Sequence, residues 1–214
     1  MLRPAALFDL DGTLIRGSAE QRLLRHLWAG RMLGPVQLGA WAGHILGHLN
    51  SWQEISIRNK GYLHGMTVER LAREAEACLA PDPQGLILPD LHRRIEEHRA
   101  RGDCLVLISG TLEPLLAVFS RVLRFDISLG TSLEAHDGVL SGEITGEHPY
   151  GRAKRGLWEA IAAEHGLDAR RSCAYANHAS DLPLLEAVGS PIAVNPDRIL
   201  RRTARRRGWT VLTL

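Results

Sequence analysis

Leu7-Phe8-Asp9-Leu10-Asp11-Gly12-Thr13 is the stretch on which the fold turns. The short apolar run that reaches it from Ala5 reads as a strand buried in a parallel sheet, and Gly12-Thr13 reads as the turn that ends it. Alternation along a strand places the side chains of Asp9 and Asp11 on one side. Parallel α/β sheets bind ligands beyond the carboxyl ends of their strands, so these two carboxylates are expected where a ligand docks. Asp, Gly and Thr are also ordinary turn residues, and two aspartates can do no more than cap a turn.

Outward from this strand, residues 18–101 change to helical periods, in Leu23, Leu24 and Leu27, then Trp41, Ile45, Leu46 and Leu49, then Val68, Leu71, Ala72 and Ala75. Short apolar segments return at Cys104–Ser109, Asp126–Leu129, Ser172–Tyr175, Pro191–Val194 and Thr210–Leu212, mostly separated by helical stretches. That alternation predicts an α/β fold with a doubly wound parallel sheet. Between Leu133 and Gly146, Val139, Leu140 and Ile144 flank Ser141-Gly142, which predicts a small antiparallel hairpin beside the main sheet.

A chain of 214 residues with a formal charge of +2 has room for one large domain or for a core with an insertion. Its balanced charge gives no chain-wide field to attract nucleic acid or an anionic membrane. Cys78, Cys104 and Cys173 are odd in number and outside any Cys-x-x-Cys spacing. With no signal-peptide pattern near Met1, they predict reduced thiols in a cytoplasmic protein. From Met32 to Gly47 there is no Asp, Glu, Lys or Arg, and Gly39, Gly43 and Gly47 recur at four-residue intervals. The run is shorter than the roughly 18 to 20 apolar residues that span a bilayer, so the spacing predicts close helix packing instead. Nothing in the sequence sets the oligomeric state.

A phosphoryl group suits a pair of carboxylates. One can attack phosphorus to give an acyl-phosphate if a cation screens the anions, and the other can protonate the leaving oxygen and then activate water. Mg2+, a hard cation that takes oxygen ligands, meets that need. Three later segments extend the pattern: Leu105-Val106-Leu107-Ile108-Ser109-Gly110-Thr111, then Lys154 in Tyr150-Gly151-Arg152-Ala153-Lys154, then Tyr175-Ala176-Asn177-His178-Ala179-Ser180-Asp181. With Asp9-Leu10-Asp11-Gly12-Thr13, these four motifs in this order resemble the haloacid dehalogenase superfamily nearly end to end. The resemblance implies Asp9 as nucleophile, Asp11 as general acid and base, and Ser109 with Gly110 as phosphate-binding residues. It implies Lys154 as the ammonium that screens aspartates and phosphate, and Mg2+ held by Asp9, the Asp11 backbone carbonyl and the region of Asn177 and Asp181. It further implies a Rossmann-like core from residues 1–16 and 102–214, with residues 17–101 inserted as an all-helical cap, as in the phosphoserine phosphatase-like branch.

Asn177 stands where the family pattern has a carboxylate; an amide oxygen can ligate magnesium but brings no charge. Three classes stay open: a phosphomonoester hydrolase, a phosphotransferase using the same intermediate, and a catalytically silent phosphate-binding homologue. Phosphoserine phosphatases carry a substrate-binding glutamate nine residues after the nucleophile, where this chain has Ser18, and Glu20 turns to another face of the helix. Leu27–Leu49 is nearly uncharged, and Arg58 and Lys60 supply the nearest cations. Ser18 and Arg58 are therefore candidate substrate-binding residues. The expected substrate is a small-molecule or lipid phosphomonoester with an apolar or uncharged body, in the lipid case met by peripheral membrane contact. The remaining signals read as structural. His44 and His48 predict packing rather than zinc. Arg198, Arg201, Arg202, Arg205, Arg206 and Arg207 predict a solvated helix with Ile199, Leu200 and Ala204 inward, and the five tryptophans predict packing.

Overall fold

The computed structural model describes residues 2–47, 60–79 and 82–214. Strand β1 (Ala5–Phe8) lies between β2 (Cys104–Leu112) and β5 (Cys173–Ala176), parallel to both. With β3 (Ile127–His136), β4 (Val139–Thr145), β6 (Ser190–Val194) and β7 (Thr210–Leu212) they form a seven-stranded sheet of order β4-β3-β2-β1-β5-β6-β7. Only β4, at one edge, is antiparallel to its neighbour. The chain winds outward from β1 to β3 and then returns to the other side of β1 at β5, so a crevice opens at the carboxyl end of β1.

Alternation along β1 sends Ala6 and Phe8 to one face of the sheet and Ala5 and Leu7 to the other. The first face is covered by α1 (Ala19–Ala29), α3 (Val68–Leu79), α4 (Pro89–Ala100) and α5 (Glu113–Leu123), through Leu23, Leu71, Leu91 and Phe119. The second is covered by α6 (Arg152–Glu164), the short α7 (Leu182–Leu185) and α8 (Arg198–Arg207), through Trp158, Leu184 and Leu200. Helices α1, α3 and α4 thus share one apolar core with the sheet. Burying a leucine contributes about 1.5–3 kcal/mol, so Leu71 and Leu79 alone hold α3 firmly against this core. α4 is also tied to β5, since His98 bonds the Asp103 carboxylate through Nδ1 (2.7 Å) and the Tyr175 hydroxyl through Nε2 (2.9 Å). Burial lowers the His98 pKa, so the neutral ring donates to Asp103 and accepts from Tyr175.

Several expectations change in three dimensions. β1 ends at Phe8, so Asp9 and Asp11 belong to the turn rather than to the strand. The hairpin is not a separate unit: β3 runs on out of the main sheet, and β4 pairs with it as the sheet edge. Its turn is Asp137-Gly138, both at positive φ, because such a two-residue turn matches strand twist. Ile199 is 62% exposed and Thr203 takes the inward place, since one residue along a helix rotates about 100° away from Leu200.

α2 (Pro35–Gly47) departs from expectation too. A side chain at Gly39 would meet open space; the close approach comes instead from Gly61, where a Cβ would lie 2.8 Å from the Trp41 nitrogen. Trp28 and Trp41 are exposed, unlike Trp158, which is fully buried. Among the described residues no helix is long and apolar enough to cross a membrane. Cys78, Cys104 and Cys173 are free thiols. Side-chain surroundings of His44 and the whole of His48 and Arg58 lie outside the described residues.

Candidate active site

Beyond the carboxyl ends of β1, β2 and β5 lies a pocket of about 230 Å³. Its walls include Asp9, Asp11, Ser109, Lys154, Asn177 and Asp181, which arrive from four separate parts of the chain. Asp9 follows β1 directly and is anchored by its backbone N–H, which donates to the Tyr175 carbonyl at 3.0 Å. Its Oδ1 accepts from the Lys154 ammonium at 2.8 Å and its Oδ2 from the Thr13 hydroxyl at 2.9 Å. Gly12, at φ +75°, turns the chain so that Thr13 folds back onto Asp9. A Cβ on Gly12 would come within 2.2 Å of the Asn177 amide nitrogen, so a glycine there lets Asn177 close in on the loop.

Lys154 reaches the carboxylates because of how α6 is buried. Lys154, Trp158 and Ile161 are its inward residues, one stripe at helical spacing. Packing Trp158 into the core therefore aims the ammonium at the pocket, where it is also 2.8 Å from Asp181 Oδ1. Burial alone would lower the Lys154 pKa, but Asp181 and Asp9 outweigh it and hold the ammonium above its ordinary value. Burial pushes the Asp181 carboxyl up, against the pull of Lys154 and with added repulsion from Asp9.

Asp11 has a different environment. Its Oδ1 accepts from the Ala19 N–H (2.9 Å), and its Oδ2 accepts from the hydroxyls of Ser18 and Thr111, both at 3.0 Å. Burial raises its carboxyl to about 6; the Ala19 bond opposes that and the charge of Asp9 reinforces it. Such a group can both give and take a proton near neutrality, whereas Asp9 is held by a permanent cation. Ser109 is buried, with its hydroxyl 3.2 Å from that of Thr111. Gly110 stands under His148, whose Nδ1 meets the Thr131 hydroxyl at 2.7 Å; that hydroxyl donates to the Gly110 carbonyl at 2.6 Å.

Ser18 caps α1 and bonds Asp11, so it stands behind the acid rather than along the pocket wall. Glu20 is taken up by Lys60, whose ammonium lies 2.6 and 2.8 Å from its two oxygens, and by the Tyr62 hydroxyl at 2.6 Å. Five residues at or beside the pocket escape a reading of the sequence. Thr13 and Thr111 stand in the sequence only as motif letters, although Thr111 lies two residues from Ser109 and so shares its side of the strand. Tyr150, His178 and Ser180, which also line the pocket, carried no signal in a single sequence.

The donor set suits a divalent cation. Asp9, Asp11 and Asp181 set three carboxylates against one ammonium, leaving negative charge uncompensated in a largely buried space. Thr13 Oγ1 lies 2.9 Å from Asp9 Oδ2 and 3.3 Å from Asn177 Oδ1, and its single proton can satisfy only one of them. Among the described residues no three His, Cys, Asp or Glu side chains stand together as a ready-made metal cage. The ligands would be mixed oxygens, as Mg2+ accepts when one or two carboxylates are joined by neutral donors.

The profile of a family described as haloacid dehalogenase-like hydrolase matches residues 6–186. Among curated proteins, phosphoserine phosphatase SerB1 of Mycobacterium tuberculosis is 32% identical over 98% of this chain and 70% of that relative. A histidinol-phosphatase of Neisseria meningitidis is 26% identical over 99% of both chains. Among solved structures, a Bordetella pertussis protein of unknown function superposes with a TM-score of 0.84 at 26% identity, covering 99% of each chain. A phospho-aspartyl intermediate analogue of phosphoserine phosphatase shares the fold, with a TM-score of 0.68 at 21% identity over 100% of this chain and 94% of that one.

Proposed function

The chain belongs to the haloacid dehalogenase-like hydrolase family and is a phosphatase, and from that premise we propose that it hydrolyses a phosphomonoester through an aspartyl-phosphate on Asp9. The observation that carries this reading is the contrast between its two carboxylates. Asp9 is ion-paired to Lys154 and bonded by Thr13, which hold its oxygens in place to attack, while Asp11, raised to about 6, is poised to exchange a proton. In the first step an Asp9 oxygen forms a bond to phosphorus as the ester P–O bond breaks, and Asp11 gives its proton to the departing alkoxide. In the second, Asp11 takes a proton from water, the water oxygen bonds phosphorus, and the Asp9–P bond breaks to release phosphate. Lys154, the Ser109 hydroxyl and the Gly110 backbone stand where the phosphoryl oxygens would lie, and the ammonium balances charge that grows there. Mg2+, held by Asp9, the Asp11 carbonyl and Asn177 or Asp181, would supply Lewis-acid neutralisation of the phosphoryl group.

Phosphate release from phosphomonoesters with Mg2+ and no acceptor alcohol tests this. Release is expected; turnover only with an added acceptor would make the chain a phosphotransferase, and none at all would make it a silent homologue. Residues 17–101 serve, in this reading, as a cap that shields the acyl-phosphate from solvent, and the bonds of Ser18 and Ala19 to Asp11 tie that cap to the acid. Three free thiols suit the reducing cytoplasm.

Asn177→Asp should lower the Mg2+ concentration for half-maximal activity, because it places a carboxylate where Thr13 cannot satisfy both neighbouring oxygens. A magnesium titration giving an unchanged or higher value would place residue 177 outside the metal's ligands.

The names of the relatives, one a phosphoserine phosphatase and one a histidinol-phosphatase, differ in substrate and select none for this chain. Glu20 narrows the choice, since its oxygens are occupied by Lys60 and Tyr62 and so offer no ready partner to a substrate ammonium. Phosphoserine should therefore be a poor substrate, with an uncharged or amphipathic phosphomonoester turned over at least about tenfold more efficiently, roughly 1.4 kcal/mol of transition-state binding. Specificity constants that favour phosphoserine would refute this.

A further inference from the structure

α2 is built inside out. Over residues 35–42 the half-buried positions are Gln37 and Ala40, while Pro35, Val36, Leu38, Gly39, Trp41 and Ala42 face outward. Gln37 binds the body of the protein, its side chain donating to the His64 carbonyl at 3.0 Å, and Gly61 comes against the helix backbone at Ala40 and Trp41. A helix on the surface of a globular domain ordinarily turns its apolar stripe to the core; over residues 35–42 this one turns Gln37 inward and Val36, Leu38 and Trp41 out. Trp28, at the end of α1 where the chain turns toward α2, is 66% exposed, and Val36 is 64% exposed. Among the described residues these are the two most exposed large apolar side chains.

Charge chooses the occupant of this surface. No Asp or Glu stands between Glu20 and Glu54, whereas Arg22, Arg25 and Arg31 lie in that span, the last two exposed. A second copy docked by two-fold symmetry would bring this cationic face against itself, setting like charges together. An anionic phospholipid surface offers the complement, since tryptophans favour the headgroup level and arginines favour anionic lipids.

We infer that the α1–α2 tip, with Trp28, Arg31, Val36, Leu38 and Trp41, docks the protein on an anionic phospholipid surface. The same α1 begins at Ser18, which bonds Asp11, so the docking tip lies about 15 Å along a single helix from the proposed acid. This deepens the phosphomonoester reading by favouring an amphipathic lipid phosphate as substrate, and it rests on that reading for its catalytic meaning alone.

The test is sedimentation of the full chain with vesicles of phosphatidylcholine alone and of equal parts phosphatidylcholine and phosphatidylglycerol, beside hydrolysis of the water-soluble p-nitrophenyl phosphate. The wild type should pellet with the mixed vesicles, less with phosphatidylcholine alone and less at high salt. A Trp28→Ser, Val36→Ser double variant should partition at least about tenfold more weakly while hydrolysing p-nitrophenyl phosphate at the wild-type rate, since neither residue lines the pocket. Absence of wild-type pelleting, equal pelleting of the variant, or a solution dimer abolished by these two substitutions would overturn the inference. Vesicle binding by a chain that hydrolyses no phosphomonoester would instead sink the phosphatase reading and leave the docking surface standing.

Discussion

Asp9→Asn is expected to abolish phosphate release, and Asp11→Asn to slow it by about two to four orders of magnitude. The two differ because they remove different things. An amide at position 9 fills the same space but has no anionic oxygen to attack phosphorus, so the covalent route is lost. An amide at position 11 leaves that attack possible and removes only proton exchange with the leaving group and water, and solvent can replace that slowly. The fold should tolerate both, since Asp9→Asn takes one carboxylate from a pocket that holds three against Lys154 alone. Steady-state release with thermal melts of both variants decides the matter. Asp9→Asn turning over within about tenfold of wild type would rule out the aspartyl-phosphate.

Lys154→Met should be costly in stability as well as activity. Lys154 is 2% exposed and contacts Asp9 and Asp181, each at 2.8 Å. Methionine keeps the volume and removes the charge, leaving two buried carboxylates facing each other. Breaking a buried pair in this way costs about 3–5 kcal/mol, which for a domain of this size lowers Tm by roughly 6–20 °C. The pH dependence carries a sign. Asp181 already sits above the ordinary carboxylate range, and without Lys154 it should rise further. A carboxyl whose folded pKa exceeds its unfolded value binds more protons when folded, so the variant's deficit should shrink as pH falls through that folded value. Denaturant melts across pH measure this, and a second substitution, Asp181→Asn, should recover part of the loss. A Lys154→Met protein melting within about 2 °C of wild type would show that the buried charges are not coupled.

Part of the site could be read without coordinates because its chemistry is bound to short local patterns. Asp9, Asp11, Ser109, Lys154, Asn177 and Asp181 were each found within a motif, and all six meet around one pocket. Thr13 and Thr111 were within the same motifs, yet their meaning is a contact: each hydroxyl finds its carboxylate only once a turn or a neighbouring strand brings it there. Glu20 stood nearer the reverse case. Helical rotation was reason enough to doubt it as a substrate ligand, but only folding brings Lys60 and Tyr62, some forty residues away, onto its oxygens.

By itself the sequence determined the parallel part of the sheet and which strands carry chemistry, though not that β4 forms its edge, because period-2 and period-3.6 apolar patterns are local properties of the chain. It likewise determined that carboxylates would stand at the end of β1, since strand ends in a parallel sheet are where ligands bind. Only the tertiary structure decided which face of α2 meets the protein, because an uncharged helix has no polar stripe to orient it, and Gln37 with Gly61 made that choice. Only the tertiary structure set the proton affinity of Asp11, since a carboxyl's hold on its proton depends on burial and on neighbours such as Ala19 and Thr111, which folding brings onto its oxygens.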